Sequence, residues 1–244
     1  MSEARRAAIT APEERRFETR AELNQALAGE IVTLVGDAVN ARGGASLVAS
    51  GGTTPGPLYD LLCKMAAPWE RVTVTLADER WVGLDNPMSN ARLVRTRLIR
   101  DRASRAKFVG LKTAHAEPEL AEPDVDAALR AIARPFDLVL LGLGENGHTA
   151  SLFPHGQGLV PALNLADPAL ARAIRPVAPD DPSPPRMSLS LRAILDSSRI
   201  VLLFTGEAKW AVYRQALEPG DALTLPVRAV LHQSRAPVQV WWAP

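Results

Sequence analysis

With 244 residues, 47% hydrophobic and 23% charged, the chain has ordinary globular composition and the length to bury a core, which excludes disordered, coiled-coil and collagen-like polypeptides. Twenty-eight basic against 27 acidic side chains leave a formal net charge of +1, so there is no whole-chain field for gripping nucleic acid or an anionic membrane, and any anion site must be local. The single cysteine, Cys63, rules out an internal disulfide framework and a cysteine-rich zinc cluster.

From Met1 to Arg20 charges are mixed and the apolar run of a secretory leader is missing, so the cytoplasm is the expected compartment. Residues 29–39 carry Ile31, Leu34, Val35 and Ala38 at helical spacing, and Arg42-Gly43-Gly44 ends that helix. Short apolar runs at 45–49 and 72–76 read as strands, each passing directly into polar or glycine-rich residues. A helix starts near Pro55 and carries Cys63 as a small core side chain. Residues 92–107 are basic, but Leu93, Val94, Leu98 and Ile99 form one apolar stripe, so the arginines make the solvated face of a docked helix. Residues 136–141 and 200–204 repeat the strand pattern, the proline-rich 176–185 segment reads as a surface loop, and the β propensity of 238–242 suits a final strand. Short strands alternating with amphipathic helices predict one α/β domain spanning residues 1–244. Its sheet is mainly parallel and twisted, with helices on both faces in a Rossmann-like arrangement, and ligands bind at strand carboxyl ends.

Chemistry-bearing residues fall at those ends. Ser50-Gly51-Gly52-Thr53-Thr54-Pro55 joins a strand to a helix, where glycines let the backbone approach a ligand and free amides and hydroxyls attract a phosphate. Asp78-Glu79-Arg80 ends the next strand with groups for hydroxyls and an anion. Gly142-Leu143-Gly144-Glu145-Asn146-Gly147 matches a dinucleotide fingerprint, yet His148 follows at once and Pro154 soon after, which describes a turn presenting an imidazole. A histidine so placed is a candidate base near neutral pH. Arg186 and Lys209 are further cations near a loop or a helix start. His115, His155 and His232 lack metal-ligand spacing and read as surface or packing residues, so no metal is assigned. No G-x-S-x-G elbow is present.

Taken in order, Ser50-Gly51-Gly52-Thr53, Asp78-Glu79-Arg80, Ser89-Asn90, Gly142 through His148-Thr149-Ala150-Ser151-Leu152-Phe153-Pro154, Arg186 and Thr205-Gly206 to Lys209 resemble the 6-phosphogluconolactonases over nearly the whole chain. That superfamily also holds the glucosamine-6-phosphate deaminases on a related fold. The resemblance implies hydrolysis of 6-phosphoglucono-1,5-lactone to 6-phosphogluconate in the oxidative pentose phosphate pathway, without metal or organic cofactor. It implies His148 as the base that activates water. Gly51, Gly52, Thr53, Arg186 and Lys209 would surround the phosphate, and Ser50 and Asn90 would also bind substrate. Arg80 would lie close to the phosphate or steady the developing oxyanion, with Asp78 near the sugar hydroxyls. The implied partner is the phosphorylated sugar lactone alone, and the implied state is a monomer or small homo-oligomer. Two rivals remain at this point. A deaminase would use an acid at the Asp78 position, but the family's D-G-H-x-A-F-N-E-P run is replaced here by residues 146–154, which lack both acids. A sugar-phosphate sensor would lack a use for His148, and no helix-turn-helix precedes the glycine loop. Many lactonases carry Asp where Asn146 stands here.

Overall fold

The structure is a computed structural model describing residues 11–177 and 183–244. The expectations for the first ten residues and for the middle of the 176–185 loop fall outside the described residues. The described chain runs β1 (Glu13–Arg16), α1 (Arg20–Arg42), β2 (Ala45–Ala49), α2 (Gly56–Leu62), β3 (Val72–Leu76), β4 (Asp78–Arg80), α3 (Asn90–Arg97), β5 (Lys107–Phe108) and α4 (Pro118–Arg130). It continues with β6 (Leu138–Gly142), α5 (Leu159–Leu163), β7 (Ala171–Ile174), β8 (Arg186–Leu189), α6 (Leu191–Leu195), β9 (Ile200–Thr205), α7 (Glu207–Leu217), α8 (Arg228–Leu231) and β10 (Val238–Ala243).

Helix α1 starts nine residues before the predicted stripe, because Leu23 and Leu27 extend the face of Ile31, Val35 and Ala38, and all five are buried. Thr19 caps its start by accepting from Glu22 N at 3.1 Å, and Gly43 ends it in the left-handed region with φ 78°. The predicted strand at 136–141 begins later, at Leu138. The Asp137 backbone N–H still donates to the Ser46 carbonyl at 3.0 Å, and its carboxylate accepts from the Ser46 backbone N–H at 2.8 Å and pairs with Arg42.

Seven strands form a wholly parallel sheet in the order β1-β10-β9-β6-β2-β3-β5. All five residues of β2 and the first five of β9 are buried. Since successive side chains point to opposite faces, such runs require cover on both sides of the sheet. From central β2 the chain builds outward through β3 to β5, then returns to β6 on the other flank and builds outward through β9 and β10. The neighbouring carboxyl ends of β2 and β6 thus lie where the strand order reverses, the place such folds reserve for ligands.

A second, antiparallel sheet in the order β4-β8-β7 was not expected from the sequence. Asp78, Glu79 and Arg80 do not simply terminate β3. They form an edge strand whose partners across β8 are Ser188, Met187 and Arg186. Arg186 therefore stands in a strand, where the sequence suggested a loop or helix start. The basic 92–107 segment docks as predicted, with Val94 and Leu98 buried and Leu93 and Ile99 packed on the core.

Candidate active site

A cleft of about 290 Å³ opens at the strand-order reversal, and Ser50, Gly51, Gly52, Thr53, Asp78, Arg80, Asn90, His148, Arg186 and Lys209 all line it. The structure thus brings these ten candidate catalytic and substrate-binding residues to one place.

Beyond β2, the Ser50 carbonyl is pinned by the Tyr59 hydroxyl at 2.7 Å. Gly51 passes so close to Asn90 that a Cβ there would lie 1.9 Å from Asn90 Oδ1. The opposite wall comes from the small sheet. Asp78 Oδ2 accepts from Ser151 Oγ at 2.6 Å, and Oδ1 accepts from Asn90 Nδ2 at 3.2 Å. Arg80 donates to the Met88 carbonyl at 3.1 Å and to Asn90 Oδ1, while Arg186 donates to the Pro184 carbonyl. Arg80 and Arg186 are direct cross-strand partners, an arrangement that is unfavourable between like charges unless an anion lies near both. Lys209, in the first turn of α7, adds a third cation to the cleft.

His148 is fixed by a tight turn beyond β6. Gly144 N donates to the His148 carbonyl and Gly147 N to the Gly144 carbonyl, both at 2.9 Å. Gly147 has φ 79°, and a Cβ there would sit 2.1 Å from Leu225 Cδ2. The turn opens no long helix, since α5 starts only at Leu159, and the fingerprint match is a coincidence of glycine spacing. Asn146 Oδ1 lies 2.6 Å from His148 Nδ1 and 3.2 Å from the His148 backbone N. A backbone N–H can only donate, which identifies the Asn146 atom as the amide oxygen. The imidazole proton consequently sits on Nδ1, and Nε2 keeps its lone pair. The Phe153 ring packs against the imidazole with centroids 4.6 Å apart. Burial is the main cause that lowers the His148 pKa, to about 4. Asp78 opposes the shift, and Lys209, Arg186 and Arg80 reinforce it. At neutral pH the ring is an uncharged acceptor.

Nothing in the sequence gives Ser151 or Phe153 a role, since neither residue type signals contact with Asp78 or His148. The other histidines lie apart from the cleft lining. His115 Nδ1 is 3.0 Å from Thr113 Oγ1, His155 is exposed, and His232 Nε2 donates to the Ala216 carbonyl at 2.8 Å. Among the described residues no three His, Cys, Asp or Glu side chains converge as metal ligands, and no helix is long and apolar enough to cross a membrane.

The sequence model of the family described as Glucosamine-6-phosphate isomerases/6-phosphogluconolactonase matches residues 18–242. The chain belongs to this family. A 6-phosphogluconolactonase of Mesorhizobium japonicum is 42% identical over 93% of this chain and 94% of its own length, and one from Caulobacter vibrioides is 42% identical over 93% and 95%. The crystal structure of a 6-phosphogluconolactonase from Shewanella baltica, 45% identical, superposes with a TM-score of 0.92 over 97% of this chain and 99% of that one. The family's fold extends to a monomeric glucosamine-6-phosphate deaminase, with a TM-score of 0.71 at 21% identity over 93% and 96% of the two chains. The Rossmann-like α/β class read from the sequence is the fold observed.

Proposed function

We propose that the chain hydrolyses 6-phosphoglucono-1,5-lactone to 6-phosphogluconate, with His148 as general base. The observation that carries this reading is the Asn146-fixed tautomer of His148, which leaves a neutral Nε2 unengaged by any described protein group in a cleft bearing three cations. The relatives named above are 6-phosphogluconolactonases, which supports the substrate.

In this mechanism Nε2 takes a proton from water as the oxygen attacks the lactone carbonyl carbon. The tetrahedral intermediate carries the charge on the former carbonyl oxygen. When it collapses, the bond to the ring oxygen breaks, and the imidazolium returns its proton to that oxygen, giving the open hydroxy acid. Asp78, held in place by Ser151 and Asn90, keeps acceptor capacity for the sugar hydroxyls and favours the transient imidazolium as a fixed anion. Arg186 and Lys209 with Gly51, Gly52 and Thr53 hold the phosphate, Ser50 and Asn90 line the sugar path, and Arg80 serves the phosphate or the oxyanion. No metal or organic cofactor takes part in these steps. The protein works as one domain, a monomer or small homo-oligomer in the cytoplasm, without nucleic-acid partners.

Freshly prepared phosphorylated lactone, with its spontaneous opening subtracted, tests the proposal. Catalysed opening is expected. No acceleration by folded protein would overturn it, and ammonia release from glucosamine 6-phosphate would assign the chain to the deaminases.

A further inference from the structure

Side chains along β4 alternate. Asp78 and Arg80 line the cleft, and Glu79 between them turns the other way, where only 1% of it is exposed. Its carboxylate is nonetheless densely bonded. Oε1 accepts from the backbone N–H of Arg80 at 2.8 Å and of Asn90 at 2.7 Å, while Oε2 accepts from Ala91 N at 2.7 Å and Ser89 Oγ at 3.1 Å. Asn90 and Ala91 are the first two residues of α3, so an acid from β4 satisfies helix-start donors that lack intrahelical partners. Ser89 caps the same helix by accepting from Arg92 N at 3.1 Å.

Held in this way, Asn90 reaches back to the reactive side of β4. Its Nδ2 donates to the Asp78 carbonyl at 2.8 Å and to Asp78 Oδ1 at 3.2 Å, and its Oδ1 accepts from Arg80. The same Oδ1 abuts Gly51 of the glycine loop. We infer that Glu79 is a positioning residue of the active site: its carboxylate fixes Asn90, and the Asn90 amide in turn sets Asp78, Arg80 and the spacing to the glycine loop. Burial raises the Glu79 pKa, and the amides of Ala91, Asn90 and Arg80 oppose that rise without cancelling it. A carboxylate serving only to cap α3 would be uncoupled from what the Asn90 side chain does.

This inference rests on the lactonase reading of the cleft, and a double-mutant cycle separates the two. Glu79→Gln, Asn90→Ala and the double variant are compared by kcat/KM for the phosphorylated lactone and, independently of turnover, by calorimetric affinity for 6-phosphogluconate. Glu79→Gln is expected to lower kcat/KM about tenfold, the scale of losing a hydrogen bond to a charged group. In the Asn90→Ala background the same change is expected to cost less than about twofold, since coupled residues do not add. Full multiplication of the two losses, or wild-type kcat/KM in Glu79→Gln, would overturn the inference. If Glu79→Gln fails to fold, Glu79→Asp, which keeps the charge but shortens its reach to the Asn90 and Ala91 amides, enters the cycle with the same expectations. A wild-type protein that opens no lactone would refute the proposed reaction, while the affinity cycle would still decide the role of Glu79.

Discussion

Replacing Asn146 with aspartate changes one atom type at the point that touches the proposed base. The Asn146 oxygen lies 2.6 Å from His148 Nδ1, so a carboxylate there would keep the hydrogen bond and add a negative charge beside the ring. An opposite charge within hydrogen-bonding distance moves a pKa by roughly 1 to 3 pH units. Residue 146 is exposed, and solvent screening places the effect in the lower part of that range, roughly 1 to 2 pH units. The sign follows from charge: the carboxylate favours imidazolium, so a higher pH is needed to free Nε2. His148 starts from about 4 in the unsubstituted protein, and the acidic limb of kcat/KM, which reports the free enzyme's base, is expected to rise with it. Unphosphorylated gluconolactone is the better substrate for this profile, because the phosphate's own ionisation near pH 6 is then removed. Nitrogen chemical shifts of His148, followed by NMR through the same titration, give the pKa directly. A folded, active Asn146→Asp variant whose limb stays in place or moves to lower pH would refute the electrostatic account of this pair.

Three further outcomes are expected. His148→Ala should keep its fold and its affinity for 6-phosphogluconate while kcat falls by roughly 100-fold or more; near wild-type turnover would remove His148 from the mechanism. Arg186→Ala and Lys209→Ala should each reduce kcat/KM far more for the phosphorylated lactone than for gluconolactone, and equal losses on both substrates would show that these cations do not hold the phosphate. In Gly144→Ala the new Cβ would stand 2.1 Å from the His148 ring; because a side chain can swing aside, thermal stability should change little while kcat drops. Retained kcat would mean that the imidazole's position is not critical.

Much of the main sheet was legible because its interior strands are continuous apolar runs followed by glycine or polar residues, as at 45–49 and 200–204. The cleft was legible in outline for a related reason: in a parallel sheet, chemistry gathers at the carboxyl ends, and the loops after β2 and β6 and the helix start after β9 carry Gly51, His148 and Lys209. The small antiparallel sheet was not. Strand β4 has three residues and β8 four, too few for a period-2 pattern to stand out, and the Arg80–Arg186 register depends on pairing between distant parts of the chain. The sequence does not tell Glu79 apart from its neighbours Asp78 and Arg80, because its burial and its bonds to α3 arise only when β4 docks there. The two-residue spacing of Asn146 and His148 permits a contact, but the tautomer follows only from the backbone N–H and the ring nitrogen sharing one oxygen.

The borders of the seven-stranded sheet bear on how copies of this chain meet. A sheet margin with open backbone donors and acceptors invites a strand from another molecule. Here one margin is β1, whose four residues are all charged and whose arginines pair with its own glutamates, Arg15 with Glu13 at 2.8 Å and Arg16 with Glu14 at 2.6 Å. The other is β5, only two residues long, with the Arg95 guanidinium 4.7 Å above the Phe108 ring. Each is a poor template for cross-molecular β pairing. Strand β1 also shields the six-residue β10 beside it, in which Val238, Val240, Trp241 and Ala243 are buried. A chain lacking β1 would turn that apolar strand into an open border, so these four charged residues guard the sheet against edge-to-edge pairing at a margin remote in sequence from the cleft loops after β2 and β6.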